Sequence, residues 1–305
     1  MSVPPLTRPV QFFTGKGGVG KSTVIGAIAT AAARRGQRPL IVELGIHTSS
    51  SHLFHGPEVG YVPSEVAPGV HATRVQFEPA LVDYITSRLK LRAIASMVAK
   101  NKSLRRLFMA APGVDEIVTL QRVAQLASDA RWRPILVDLE STGHALMFFD
   151  LPGVLEVFLK DGPLRQVLDR ATDLVRDERR SAVHIVTVPE PLAVNDTIPL
   201  YEGLRDRRDL HLGCLFINRA PCRWFDDAEE ALVKTELEGP SVGQAWAPDL
   251  ALAEYVVARR QTADKCLRGL RRDIDLPTLI FHAQDEGKVS IIEALTDALE
   301  RSEMW

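Results

Sequence analysis

The chain has 305 residues, of which 46% are apolar and 25% are charged, and its net charge is −2 at pH 7. This composition suits a globular chain with a substantial core, and the near-neutral charge excludes a protein steered electrostatically to nucleic acid. No segment approaches the roughly 18 apolar residues of a membrane-spanning helix, and the first residues lack a signal-peptide core, so we expect a cytoplasmic protein.

Short apolar runs alternate with helical patterns along most of the chain. Strands are predicted over Val10–Thr14, Pro39–Glu43, Pro134–Asp138, Ala182–Val188, His211–Asn218 and Thr278–His282, and helices over Gly20–Arg35, Pro191–Arg208, Asp226–Leu237 and Lys288–Arg301. Continuous apolar strands that alternate with helices are typical of a parallel sheet buried on both faces. The sequence therefore predicts an α/β fold, with a mostly parallel sheet flanked by helices.

Two segments interrupt this alternation. In residues 77–131 and 152–181 the apolar side chains recur at helical spacing, which predicts a helical subdomain at one end of the sheet. The chain has no internal repeat and no low-complexity linker. We therefore predict a single domain over residues 1–305 with two helical insertions.

A phosphate-binding motif follows the first predicted strand. The run Gly15-Lys16-Gly17-Gly18-Val19-Gly20-Lys21-Ser22-Thr23 fits G-x-x-x-x-G-K-[ST] and lies between a strand and a helix, as this motif requires. Its glycines let backbone N–H groups face phosphate oxygens, and the N-terminus of the helix adds a positive end. Lys21 is expected to reach the β- and γ-phosphates, and the Ser22 hydroxyl to ligate Mg²⁺. The motif thus predicts a site for ATP and Mg²⁺.

The sequence also offers a carboxylate as a candidate magnesium ligand for this site. Asp138 ends a predicted strand, at the edge where open α/β sheets bind their ligands. We expect Asp138 to hold Mg²⁺ or one of its water ligands.

Several stretches together resemble one family of ATPases. The string G-K-G-G-V-G-K-S-T resembles the deviant Walker A motif of dimeric ATPases related to the nitrogenase iron protein, the Min cell-division ATPase and the arsenite-pump ATPase. Residues 138–146, D-L-E-S-T-G-H-A-L, resemble the switch II stretch D-T-A-P-T-G-H-T-L of the arsenite-pump (ArsA-type) and tail-anchored-protein targeting branch. P-G-V-D-E at 112–116 and F-I-N-R at 216–219 are similar to further segments of that branch. The resemblance covers about residues 14–218.

This resemblance implies roles for individual residues. In the family the first lysine of the loop reaches the nucleotide of the partner subunit, so Lys16 would supply a charge in trans, as an arginine finger does. Thr142 and Gly143 would lie at the nucleotide, while His144 is either part of the switch or a residue bonded to backbone at a helix start. Asn218 either contacts adenine or caps its strand. The resemblance also implies a homodimer, or a heterodimer with a paralogue.

The switch I motif of the family is not matched. Its aspartate, in T-D-P-A-H, orients the attacking water, but an ungapped match places Leu44 there. Either Glu43 substitutes for that aspartate, or hydrolysis is slow and the protein acts mainly as a nucleotide-gated dimer. The stretch around Glu43 and the run Tyr61–Val70 are similar to a bacterial group of the family.

The first helical insertion is basic. Between Tyr84 and Val114 there is no acidic residue, and seven basic residues interleave with the apolar ones: Arg88, Lys90, Arg92, Lys100, Lys102, Arg105 and Arg106. A basic amphipathic helix can lie on a membrane or bind an apolar partner helix, and the targeting ATPases form their client groove in the equivalent region. The same apolar residues can instead pack on the sheet with the charges in water.

These features predict an ATP-hydrolysing dimeric switch that handles a hydrophobic client or a membrane-associated partner. One alternative is the energising subunit of an anion or metalloid pump. A metalloid site needs clustered thiols, whereas Cys214, Cys222 and Cys266 form no C-x-x-C pair. Another alternative is a slow or non-hydrolysing scaffold that depends on nucleotide.

Overall fold

One eight-stranded sheet organises the chain. A computed structural model describes residues 5–44, 49–89, 114–139, 145–150, 163–207, 209–238, 247–284 and 290–302. The strands are β1 (Val10–Thr14), β2 (Leu40–Leu44), β3 (Ser64–Ala67), β4 (Val70–Val75), β5 (Ile135–Asp138), β6 (Ser181–Thr187), β7 (Leu212–Ala220) and β8 (Thr278–His282). Their order is β3-β4-β2-β5-β1-β6-β7-β8, and only the edge pair β3–β4 is antiparallel.

Helices connect the strands. They are α1 (Lys21–Arg34), α2 (Ser49–Leu53), α3 (Phe77–Leu89), α4 (Val114–Ala127), α5 (Pro163–Arg176), α6 (Pro191–Arg205), α7 (Asp227–Glu238), α8 (Ala247–Asp273) and α9 (Ile291–Glu300). Residues 145–150 are also helical. None of the helices in the described ranges combines the length and the apolar character needed to cross a bilayer.

The alternating side chains of the strands enter two separate hydrophobic cores. Phe12 of β1 packs in one core with residues of α4, α5, α6 and α8. The next residue, Phe13, packs in the other core with residues of α1 and α9. Both rings are fully buried, and each contributes about 1.5–3 kcal/mol relative to an exposed position. A sheet with a core on each face confirms the predicted α/β fold.

Helix α9 closes the second core over α1. Leu295 and Leu299 are buried in that core, and Thr296 Oγ1 donates a hydrogen bond to the Ala27 carbonyl at 3.2 Å. At the surface, Arg34 Nη1 lies 2.8 Å from Asp297 Oδ1. The helix that follows the phosphate motif is therefore packed against the last described helix.

All six predicted strands and all four predicted helices are present, with their ends displaced by a few residues. The described parts of the two insertions are helical, as α3, α4 and α5. Residues 90–113 and 151–162 lie outside the described residues, so the single domain and its helical subdomain stay predictions. Four of the numbered elements were not predicted: β3, β4, the short helix α2 and the 27-residue helix α8.

A histidine lies inside the sheet. His184 on β6 is fully buried, its ring stacks on Phe13 with centroids 4.9 Å apart, and its Nδ1 accepts a hydrogen bond from the Cys214 backbone N–H at 3.0 Å. Burial lowers the pKa of His184 to about 3, because the imidazolium would lose its hydration there. The side chain is therefore neutral wherever the fold is intact near neutral pH.

We expect His184→Gln to weaken the pH dependence of the free energy of unfolding. The pKa in the folded state lies below the unfolded value of about 6.5. His184 therefore destabilises the fold as the pH falls below that value, by up to about 1.4 kcal/mol per pH unit. Urea titrations between about pH 7 and about pH 4 test this, with the exposed His52→Gln as control. Parallel pH profiles for wild type and His184→Gln would contradict it.

Candidate functional site

The carboxyl ends of the seven parallel strands of the described sheet meet at one edge. β1 lies in the middle of this group, with β5 and β6 as its direct neighbours. The loop from β1 to α1, which carries the phosphate motif, therefore lies between the ends of β5 and β6. Ligands of open α/β sheets bind at this edge.

Glycines give the loop a conformation that other residues would strain. Gly18 and Gly20 have φ values of 83° and 89°, in the left-handed region. A Cβ atom at Gly15 would overlap the carbonyl oxygen of Val186 on β6, and one at Gly20 would overlap the Asn218 side chain of β7. The loop thus lies directly against the ends of two strands. Gly20 also caps α1 without a side chain, which leaves the first N–H groups of the helix to face an anion.

The predicted magnesium residues are in contact. Ser22 Oγ donates a hydrogen bond to Asp138 Oδ2 at 2.6 Å, and Lys21 Nζ donates to the Gly15 carbonyl at 3.3 Å. Burial raises the pKa of Asp138, while the hydrogen bond from Ser22 and the charge of Lys21 lower it. The contact brings together the hydroxyl and the carboxylate that the sequence analysis assigned to Mg²⁺.

A second carboxylate lies beside Asp138. In the parallel pairing of β2 with β5, Glu43 is the register partner of Asp138. The side chain of Glu43 is buried, its Oε1 accepts a hydrogen bond from the Ser50 N–H at 2.5 Å, and its Oε2 has no hydrogen-bond partner among the described residues. Burial raises the pKa of Glu43, the Ser50 hydrogen bonds lower it, and the nearby charge of Asp138 raises it.

These oxygens fit a magnesium ion shared with a phosphate substrate. Mg²⁺ prefers oxygen ligands and is usually held by one or two carboxylates together with substrate phosphates and water. The described residues contain no group of three or more His, Cys, Asp or Glu side chains arranged as a metal cage. Because a buried polar atom normally has a partner, the Glu43 Oε2 atom, which bonds none of the described residues, also suits a site that a water molecule completes.

The first lysine of the loop lies apart from the second. Lys16 Nζ is 2.7 Å from Asp196 Oδ2 and 3.3 Å from the Leu192 carbonyl, both on α6. The two lysines of the motif therefore have different partners, Lys21 within the loop and Lys16 on the helix that follows β6.

Two residues at the end of β7 donate hydrogen bonds to carbonyl groups of the phosphate loop. Asn218 Nδ2 donates to the Val19 carbonyl at 3.0 Å, and Arg219 Nη1 donates to the Gly18 carbonyl at 3.2 Å. Asn218 Oδ1 also accepts from the Arg219 N–H at 3.0 Å, and Arg219 has a φ of 54°. Sequence reasoning placed Asn218 at a strand end but missed these contacts. Its contact with adenine stays a prediction.

The remaining predicted positions divide into two groups. Gly17 and Thr23 lie in the described loop and the first turn of α1. Thr142, Gly143 and His144 lie outside the described residues, as do residues 45–48 after β2. The role proposed for each of these residues stays a prediction.

Comparisons with known proteins point to one family. Residues 8–168, more than half of the chain, match the model of a family described as Anion-transporting ATPase. ATPase BagA of Mycobacterium tuberculosis is 26% identical over 221 residues, covering 69% of this chain and 64% of that protein. Protein Rv2184c of the same organism is 29% identical over 196 residues, covering 59% of this chain and 45% of that protein. ATPase ASNA1 homolog 1 of Paramecium tetraurelia is 27% identical over 148 residues, covering 48% and 44%. The chain therefore spans less than two thirds of the length of each of these relatives.

We expect Lys21→Ala to weaken ATP binding by roughly 10- to 150-fold, the worth of a hydrogen bond to a charged group. Isothermal titration with Mg²⁺ and a non-hydrolysable ATP analogue measures the change. Lys265→Ala, which removes an exposed lysine of α8, is the matched control. Equal affinities in the wild type and Lys21→Ala would refute the assignment of the phosphate loop.

Proposed function

Since the chain belongs to the anion-transporting ATPase family, we propose that it binds ATP with Mg²⁺ and hydrolyses it as a dimeric switch. The observation that carries this proposal is the 2.6 Å contact between Ser22 and Asp138 beside the glycine loop. It joins the phosphate loop to a strand-end carboxylate, which is the arrangement a magnesium nucleotide requires.

The loop binds the nucleotide through its phosphates. Lys21 exchanges its contact with the Gly15 carbonyl for the β- and γ-phosphates, and the N–H groups around Gly20 bond the phosphate oxygens. Ser22 and Asp138 would hold Mg²⁺, which when bound offsets negative charge on the transferred phosphoryl group. Asn218 and Arg219 hold the loop in place by donating hydrogen bonds to two of its carbonyl groups.

Glu43 is proposed to activate water. Its Oε2 is buried and has no hydrogen-bond partner in the described part of the chain, so this oxygen can accept a proton from a water molecule beside the phosphates. A base works best when its pKa lies near the working pH, and burial moves the pKa of Glu43 in that direction. Glu43 would thereby replace the aspartate that the switch I motif of the resembling ATPases carries.

We expect Glu43→Gln to slow ATP hydrolysis by roughly 10²-fold, the usual worth of a general base, with nucleotide affinity unchanged. Steady-state turnover and analogue binding separate the two effects. Glu58→Gln removes an exposed carboxylate and should behave as wild type. If Glu43→Gln retains the full rate, Glu43 is a structural carboxylate that holds Ser50.

Lys16 is proposed to act across the dimer. Lys21 already serves the phosphates of its own subunit, so a second loop lysine has little use in a monomer. In a closed dimer Lys16 would neutralise charge on the nucleotide of the partner, an effect comparable to that of an arginine finger. The partner is proposed to be a second copy of this chain or a paralogue.

A mixed dimer separates action in trans from action in cis. We expect a chain carrying both Lys16→Ala and Asp138→Ala to inactivate a wild-type partner by roughly 10³-fold, because the wild-type site then loses the lysine supplied to it. Turnover is measured in purified heterodimers carrying two affinity tags. Asp138→Ala alone, paired with wild type, is the control, since it still supplies Lys16 and should leave one active site. Normal turnover of the wild-type site beside the double mutant would rule out action in trans.

The proposed switch acts on a hydrophobic client or a membrane-associated partner, a proposal supported by the charge pattern between Tyr84 and Val114.

The alternative function, a metalloid pump, has less support, because the cysteines do not cluster. Cys214 packs in the core with α1 and Cys266 in the core on the other face of the sheet. Burial raises the pKa of Cys214 to about 12, which keeps that thiol protonated. Metals bind cysteine as the thiolate. Cys214 and Cys266, which lie in separate cores, therefore form no shared metal site.

A further inference from the structure

The ion pair between Lys16 and Asp196 carries an inference that rests on the proposed dimeric switch. We propose that Asp196 holds Lys16 on its own subunit, and that Lys16 leaves Asp196 when a second copy of the chain closes over the nucleotides. Asp196 is then a positioning residue that weakens the ATP-bound dimer and delays its formation.

The fold places the two side chains together. β6 is the direct neighbour of β1, so α6, which begins four residues after β6 ends, starts beside the phosphate loop. Gly15 contacts the Val186 carbonyl of β6, and the next residue is Lys16. Its ammonium group therefore reaches the first turns of α6 and bonds both Asp196 and the Leu192 carbonyl.

One side of the pair is fixed and the other can move. The residue after Asp196, Thr197, is buried, and its hydroxyl lies 2.8 Å from Thr187 Oγ1 of β6 and donates to the Ala193 carbonyl at 2.7 Å. The contact with Thr187 fixes α6 to the sheet, and the bond to Ala193 holds the Thr197 hydroxyl within the helix. Lys16 instead lies in a loop between two glycines, and a Cβ atom at Gly17 would meet no atom within 4 Å. Release of the pair is therefore a movement of Lys16.

The pair is weak enough to be broken by a competing phosphate. The side chains of Lys16 and Asp196 are 37% and 47% exposed, and exposed ion pairs contribute little because water screens them. A single ammonium group cannot stay on α6 and also reach phosphates on the opposite subunit. Each closing dimer must therefore break two such pairs, and their loss opposes closure.

The test compares dimer formation in the wild type and in Asp196→Asn, which keeps the shape of the side chain and removes its charge. Sedimentation equilibrium with Mg²⁺ and a non-hydrolysable ATP analogue should show a dimer dissociation constant between about twofold and about thirtyfold lower in the variant, from two exposed pairs per dimer. Glu202→Gln, which neutralises an exposed carboxylate on the same helix, should match the wild type.

A second comparison shows whether Asp196 acts through Lys16. In the Lys16→Ala background, Asp196→Asn should leave the dimer constant unchanged, whereas a structural effect of Asp196 would persist there. Turnover as a function of protein concentration should reach its half-maximum at a lower concentration in Asp196→Asn. Unchanged or weaker dimers in Asp196→Asn, with a normal wild-type dimer, overturn this inference alone. If the wild type forms no dimer with the analogue, the dimeric switch fails and the inference fails with it.

Discussion

The hydrogen bond between Ser22 and Asp138 is the contact around which the site is arranged. It joins the first turn of α1 to the end of β5, so the phosphate loop is held between a helix and a strand that are more than one hundred residues apart in sequence. The parallel register of β5 with β2 then places Glu43 directly beside Asp138. The two carboxylates consequently lie at the ends of neighbouring strands, and the Ser22 hydroxyl is held against one of them from α1.

The same parallel sheet separates the contact of Ser22 with Asp138 from the ion pair of Lys16 with Asp196. On the β5 side of β1 lies the contact of Ser22 with Asp138, and on the β6 side Lys16 reaches Asp196. Asn218 and Arg219 hold the carbonyl groups of the loop from the end of β7, so those oxygens point toward the protein. The N–H groups of the loop are left to face the ligand, which is the polarity an anion needs.

Much of this architecture could be predicted from the sequence, because buried parallel strands are continuous apolar runs and the phosphate motif lies between one such run and a helix. The hairpin of β3 and β4 was missed, although Pro68-Gly69 between the two strands is a turn signal and Gly69 has a φ of 75°. α8 was missed because most of its first half is exposed, so the apolar residues there, such as Leu252 and Tyr255, mark no buried face. The contact of Lys16 with Asp196 depends on β6 lying beside β1, and no local pattern encodes which strands become neighbours.

The packing of α9 on α1 has a consequence for the order in which the protein can be completed during synthesis. Arg34 and Asp297 are 263 positions apart in the sequence, yet their helices share one core. A ribosome that adds roughly 5–20 residues per second needs on the order of tens of seconds to cover that interval. Throughout this time the apolar face of α1 lacks its cover, although the phosphate loop has already been made. The apolar face of α1 is therefore exposed on the nascent chain until α9 has left the ribosome.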